Sequence, residues 1–446
     1  MGILGTLSIV SSLVFFGIAV WFSANNFLPK EYHLPLPPAL TGPLTVNKPN
    51  VLEKLLDGKI LGPESIVVEK NVLYTCTLDG KCLKIVSGQI EKSIPMTAHT
   101  NCDGKRQTIP FCGRPLGIRR YNDQQFIVAD AVLGLMLINF DEETKELLVP
   151  SMTIVEKKRL GFPDDLDIAA DNDTIFFSDL SAKYGYSDVH LAFLEHVNDG
   201  RLIEYKMSTG KLRVVMDGLV VANGVQMHPD KQSVLVCETA MARIHRYYFS
   251  GLKKGRQQIF VDNLPGFPDN IRLSSNGKSF FVALAFHRSE KSPHTFDKLG
   301  PWPFARKVLG EFIKLLPDSF VNYFYAGSVH GIILELDLNG VIVRSWHDPN
   351  GSVISHISEA DDDGGEFLYL SSFVNNYIGR IILVINLFSL FLCLIKQEFK
   401  AIQCSRLSQT FNNSNREVST SSLTPMPVRR QYERHELATA IACSKE

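Results

Sequence analysis

One phrase recurs six times along the chain, and no other feature narrows the fold as far. Each copy opens on a turn rich in Pro, Gly or Asn. It then runs through a short apolar strand, a polar turn and a strand of β-branched and aromatic residues, and closes on a third strand. Copies begin at Gly62 (GPESIVVEKNVLYTCTLDGKCLKI), Cys112 (CGRPLGIRRYNDQQFIVADAVLGLMLIN), Gly161 (GFPDDLDIAADNDTIFFSDLS, continuing at DGRLIEY), Val221 (VANGVQMHPDKQSVLVCETAMARIHRY), Gly266 (GFPDNIRLSSNGKSFFVALAF, resuming at HGIILEL) and Ile357 (ISEADDDGGEFLYLSSFVNNYIGRI). Most copies start about fifty residues apart, which suits a four-stranded blade that hides its faces only by stacking on neighbours round a ring. A β-sandwich has no reason to repeat at this interval with a polar turn in the same place. The sequence therefore predicts an all-β, six-bladed propeller with four-stranded blades over residues 50–385.

What lies outside the repeat sets the remaining organisation. Ile3 to Phe22 form an uncharged apolar run long enough to span a bilayer, which predicts an N-terminal membrane anchor over 1–28. A cleaved signal peptide is the competing reading, and Trp21 and Phe22 fit its cleavage site poorly. Six prolines in 29–49 then predict a stiff spacer. The fifth copy is interrupted between about Phe286 and Gly327. There Phe304, Val308, Leu309, Phe312 and Ile313 recur at helical spacing opposite Lys307, Glu311 and Lys314. They predict a helical insertion, packed on the propeller as a lid or, alternatively, dipping into a membrane. The apolar run 381–395 reads either as the strand that ends the sixth blade or as a second span, and 386–446 as a Ser/Thr-rich, mildly basic, disordered tail.

A formal net charge of −1 gives no electrostatic case for nucleic acid. Partners are then small molecules, proteins or the membrane reached through the anchor. Either reading of the N-terminus sends the body to a lumen or the cell exterior, as a single-pass type II protein if the anchor is retained. Asn172, Asn350 and Asn412 stand in N-glycan acceptor triplets, which agrees. Cys102 and Cys112 flank a polar loop at a spacing that a disulfide closes. Cys76, Cys82 and Cys237 sit in strand-like apolar runs and read as small buried hydrophobes.

The first turn of a propeller blade faces the central channel, so polar residues at one phase of several copies converge. Glu64 in GPES, Asp164 and Asp165 in FPDDL, Asn223 in ANGV, and Asp269 with Asn270 in FPDN occupy that phase. Each alone is ordinary turn chemistry. Together they are hard oxygen donors without a soft one among them, a set suited to Ca2+, and burying so many carboxylates without a cation is costly. Glu64, Asp164, Asn223, Asp269 and Asn270 are the expected metal ligands.

The phrases GPES, FCGRPLGIR, DGRLIEY, NGVQ, ETAMARI, PGFPDNIR and HDPNG, with the run CETAMARIHRYYFSGLKKG, resemble the strictosidine synthase-like branch of calcium-dependent six-bladed propellers over roughly residues 60–385. The resemblance implies a Cys102–Cys112 disulfide. It also implies calcium ligands at Glu64, Asn223 and Asp269, as in the wider paraoxonase and gluconolactonase group. Three departures matter. Asp164 stands where relatives carry Asn. Leu116 stands where paraoxonases carry a histidine base. Asp361, Asp362 and Asp363 lie around the point where strictosidine synthase uses a glutamate, in a register the sequence leaves open. The expectation is a calcium-dependent hydrolase of arylesterase or lactonase type acting on a small ester or lactone, with Asp269 or Asp164 as base. The alternative is a non-catalytic membrane-bound propeller whose calcium is structural. Strictosidine synthesis itself is not expected.

Overall fold

Strands of four to nine residues, several buried along their whole length, give sheets that must be covered on both faces. The computed structural model describes residues 26–47, 52–314, 316, 329–352 and 355–383. Six four-stranded antiparallel sheets carry the repeat, beside a two-stranded ribbon of Ile154–Val155 with Lys158–Arg159. The innermost strands are Ile66–Glu69, Pro115–Arg120, Pro163–Ile168, Ala222–Met227, Gly266–Leu273 and Ile357–Asp362, for blades one to six. Each contacts the next, and the sixth contacts the first, so the ring is closed. Six apolar clusters fill the six junctions. Ile118, Phe126 and Phe140 pack with Tyr74 between blades one and two, and Trp346 packs with Leu368 and Ile381 between five and six.

The sixth blade corrects one expectation. Its third strand is Ile378–Ile382, and its outermost strand comes from the other end of the body: Leu52–Leu55 pairs antiparallel with it, Leu55 opposite Ile378. No strand beyond 382 is needed to complete the blade. Closing a ring with strands from both ends ties the first and last blades together through a hydrogen-bond ladder.

Residues 26–47, most of them in the stretch 29–49 read as a spacer, run along the body. Phe27, Tyr32 and Leu44 are buried. Prolines deny the segment a ladder of its own, yet its carbonyls still accept: Pro35 from buried Arg288 at 2.6 Å and Pro43 from Ser345 at 2.8 Å. Asn47 accepts the backbone N–H of His347, which covers part of the outer edge of blade five.

Among the described residues four short α-helices interrupt the strands: α1 (Ile109–Cys112), α2 (Val189–Glu195), α3 (Thr295–Leu299) and α4 (Pro303–Ile313). The last three lie between the second and third strands of blades three and five. Fully buried Arg306 of α4 fastens them, donating to the carbonyls of Leu194 at 2.7 Å, Leu299 at 3.1 Å, Gly300 at 3.1 Å and Lys30. Among the described residues no helix is long and apolar enough to cross a membrane. The expected anchor at 3–22, all but the first residues of the 381–395 run, the tail and Asn412 lie outside them.

Cys102 and Cys112 form a disulfide, Cα atoms 5.7 Å apart. So do Cys76 and Cys82, against the reading of both as unpaired core residues. They face each other directly across the hairpin of Val72–Thr77 and Lys81–Val86, a relation that only the strand register reveals. Cys237 is buried and free.

Candidate functional site

The innermost strands share a defect. Register breaks near the start of the strand in five blades: between Pro115 and Ile118, Pro163 and Leu166, Ala222 and Val225, Pro268 and Ile271, and Ile357 and Glu359. Three of the five begin at proline, which has no N–H to lose from the ladder. A bulge re-aims the side chains it contains. The first bulge residues are Leu116, Asp164, Asn223, Asp269 and Ser358, and Glu64 holds the matching place before the first strand of blade one. The next residues round the ring are Ser65, Gly117, Asp165, Gly224, Asn270 and Glu359. Gly117 and Gly224 are small of necessity: a Cβ on Gly224 would meet the carbonyl oxygen of Asp269 at 2.5 Å, and one on Gly117 the Asp165 carboxylate at 2.7 Å.

The five expected ligands are all buried. Asn270 donates from Nδ2 to Glu64 Oε1 at 2.9 Å, and the Asn223 amide hydrogen-bonds Asp269. That leaves Glu64 Oε2, Asn223 Oδ1 and Asn270 Oδ1 buried without a partner. Among the described residues no guanidinium or ammonium lies within ion-pair distance of Glu64, Asp164 or Asp269. Burial, then Asp269 and Asp164, hold Glu64 well above the usual carboxylate range, and burial with Asp269 and Asp165 does the same to Asp164. Burial pushes Asp269 up to about 8, against the pull of the Asn223 amide. Three carboxylic groups thus resist ionisation together, while unpartnered oxygens stand beside them. The set fits a hard cation in charge and donor type. No three His, Cys, Asp or Glu side chains among the described residues come together closely enough to hold a metal by themselves. A cation here would need the amide oxygens as well.

The second ring is a different chemistry, and sequence reasoning missed most of it. Arg272, two residues past Asn270, grips Asp165 through both nitrogens at 2.8 and 3.0 Å and also pairs with Glu359. Glu359 accepts from Ser65 Oγ and Ile66 N, each at 2.9 Å, and Asp165 accepts from Val225 N at 2.7 Å. One buried guanidinium therefore links blades three, five and six. The register question in blade six resolves here, since the acid at the bulge is Glu359. Asp362 and Asp363 cap a turn at Gly364 and Gly365, and Asp361 follows on the strand.

Phe162, Val221 and Phe267 each precede a site residue by two positions and belong, with Leu116, to the cluster that also holds Phe193 of α2, Phe296 of α3, Ile313 of α4 and Phe27. The insertions and the N-terminal segment thus form an apolar cap at this end of the axis. A cavity of about 420 Å³ elsewhere, lined by Glu238, Arg243 and His245 among others, includes none of the site residues.

The strictosidine synthase family model matches residues 164–252. Adipocyte plasma membrane-associated protein of Gallus gallus is 40% identical over 354 residues, covering 79% of this chain and 83% of the relative. That of Rattus norvegicus is 40% identical over 354 residues, covering 79% and 92%. The chain belongs to the adipocyte plasma membrane-associated protein family. Among solved structures, a gluconolactonase from Xanthomonas campestris superposes with a TM-score of 0.49 at 15% identity, covering 80% of this chain and 99% of that one. In this member of the adipocyte plasma membrane-associated protein family Leu116 is an apolar residue of the cap, and the acceptor residues Asn172 and Asn350 are exposed.

Proposed function

We propose that this chain is a membrane-associated, calcium-dependent hydrolase of a small apolar ester or lactone, working at the axial cluster. The observation that carries the reading is the set of unpartnered buried oxygens, Glu64 Oε2, Asn223 Oδ1 and Asn270 Oδ1, beside carboxylates that no described cation pairs and that Arg114 and Arg272 offset only from farther off. Glu64, Asp164, Asn223, Asp269 and Asn270 hold the ion in this reading. When bound, it supplies electrophilic polarisation of an ester carbonyl. Asn270 and Asn223 orient Glu64 and Asp269 through their amide groups. Asp269 or Asp164 takes the proton from an attacking water. The cap, with Leu116, Phe162 and Phe267, excludes bulk solvent and selects an apolar acyl group. Membrane association is supported by the names of the relatives and by the apolar run at 3–22.

A second reading keeps the ion and drops the chemistry: calcium would close the ring of a binding module. Leu116 in the place of a histidine base, and a cluster sealed under an apolar cap, favour it. Turnover of phenyl acetate and a small lactone by the full chain, with and without EDTA and beside a Glu64→Gln, Asp269→Asn double variant, separates the two. Hydrolysis that EDTA and the double variant abolish supports the enzyme. A calcium-dependent rise in melting temperature without any turnover leaves the binding module, and neither effect sinks both.

A further inference from the structure

Helix α4 exposes an apolar stripe that a surface helix normally hides. Its buried face carries Arg306, Gly310, Glu311 and Ile313, whereas Phe304, Val308 and Phe312 are 76%, 37% and 62% exposed, with Trp302 just before the helix at 65%. Residues 304, 308 and 312 are four apart and so form one stripe along the outer face. A soluble surface normally puts its charges there. The inward face shows why the helix nevertheless stays in place, since Arg306 ties it to four carbonyls and Gly310 lets Phe27 lie against the backbone, where a Cβ would meet the ring at 2.4 Å.

The occupant of the stripe follows from where the chain leads. Phe27 packs on Gly310, and the Lys314 ammonium lies 5.4 Å from the Phe27 ring centre. Only four residues separate Phe27 from the apolar run that ends at Phe22. At no more than about 3.6 Å per residue, that link holds α4 within some tens of ångströms of wherever the run is embedded. Leu28, 59% exposed, adds apolar surface beside the exit point. Lys30 and Lys298 are exposed nearby and carry charge suited to headgroups.

We propose that the Trp302, Phe304, Val308 and Phe312 face of α4 docks in the bilayer interface, so that the body lies on the membrane with its cap against the lipid instead of swinging on a tether. The proposal rests on the reading of 3–22 as a membrane-embedded run. Interfacial helices of this kind sink roughly 5–10 Å into the headgroup and acyl boundary. The apolar cap would then draw its ligand from the lipid phase.

The test uses the full chain in phosphatidylcholine vesicles, with Trp302 as the probe. Three tryptophans are present: Trp21 lies in the apolar run and is replaced as Trp21→Phe, while Trp346 is buried and serves as an internal baseline. Vesicles whose acyl chains are brominated near the headgroup should quench Trp302 more than vesicles brominated deep, and aqueous iodide should not reach it. Adding Trp302→Phe should remove that quenching. Adding Phe304→Ser and Phe312→Ser, at positions too exposed to unfold the helix, should return Trp302 to iodide while the chain still floats with the vesicles. Equal iodide access with and without the two serines overturns the docking but spares the anchor. Failure to float overturns both. Shielding of Trp302 that follows protein concentration and not lipid assigns the face to a second copy and overturns the lipid proposal.

Discussion

Asp164 and Asp165 are adjacent, identical in chemistry and both buried, yet they live in opposite electrostatic worlds. Asp165 is held by Arg272 and by a backbone N–H of the next blade. Asp164 faces Asp269 and Glu64 with no described cation at ion-pair distance, and although Arg114 pulls the other way, its carboxyl is pushed well above the ordinary range. The bulge that separates them turns one residue toward a finished ion-pair network and the other toward an unfinished one. A finished network belongs to the fold. An unfinished one points to something the chain binds.

The largest effect expected from breaking this contrast is at Arg272. Arg272→Met would leave Asp165 and Glu359 buried with only the more distant Arg119, at 3.7 and 4.0 Å, as counter-ion, and removing one partner of such a pair costs about 3–5 kcal/mol. Urea denaturation should show that loss whether or not calcium is present. Calcium occupancy comes next. A ligand at a hundred times its Kd adds about 2.7 kcal/mol to stability, so melting with calcium against EDTA should separate by several degrees. Asp164→Asn should raise the EDTA melting temperature, because one of three mutually repelling acids is gone, and shrink the calcium increment. Asp165→Asn should lower both temperatures alike. Identical behaviour of the two variants would erase the distinction between the rings.

Gly224→Ala probes the geometry that makes the distinction possible. The new Cβ would press on the carbonyl of Asp269 and on Asn270 Cα at 2.6 Å. Overpacking of this kind costs about 2 kcal/mol. Part of that loss should fall on calcium affinity, read by titration calorimetry, because the displaced backbone carries two of the five ligands.

Much of this was legible in advance, for identifiable reasons. Proline and acidic turn residues mark the bulge, so GPES, FPDD, FPDN and ANGV betray both the blade phase and the axial cluster. What stayed hidden depends on register or on distant partners. Leu52–Leu55 is a half-charged tetrapeptide with no strand signature of its own, and only its pairing with Ile378–Ile382 makes it the closing strand. Cys76 and Cys82 sit in apolar alternation that reads as core. Arg272 looks like a strand arginine until two bulges bring Asp165 and Glu359 to it. Helix α2, at seven residues, is too short for periodicity to declare.

The smallest expected effect extends the same contrast to the ends of the second strands. Asp130, Asp179 and Glu238 sit opposite the first residue of the inner strand in blades two, three and four, and each accepts backbone N–H groups from the loop before it. In blade five that place belongs to His287, opposite Gly266, with both ring nitrogens buried and unpartnered. The His330 ring lies tilted against it, centres 4.4 Å apart, and its Nε2 is 3.0 Å from His347 Nδ1. Burial, then His330, His347 and His294, lower His287 to about 4, and burial with His330 lowers His347 to about 4. At pH 7 both rings are neutral in the folded chain and mostly so in the unfolded one, so they cost little there. As pH falls below about 6.5 the unfolded chain takes up protons that the folded one refuses, and stability is lost down to about 4. Acid-limb melting curves should therefore fall less steeply for His287→Phe than for the parent, by on the order of 1 kcal/mol between pH 7 and 4.5. An unchanged slope would mean that His287 finds a partner in acid, as its carboxylate counterparts in the other blades already do.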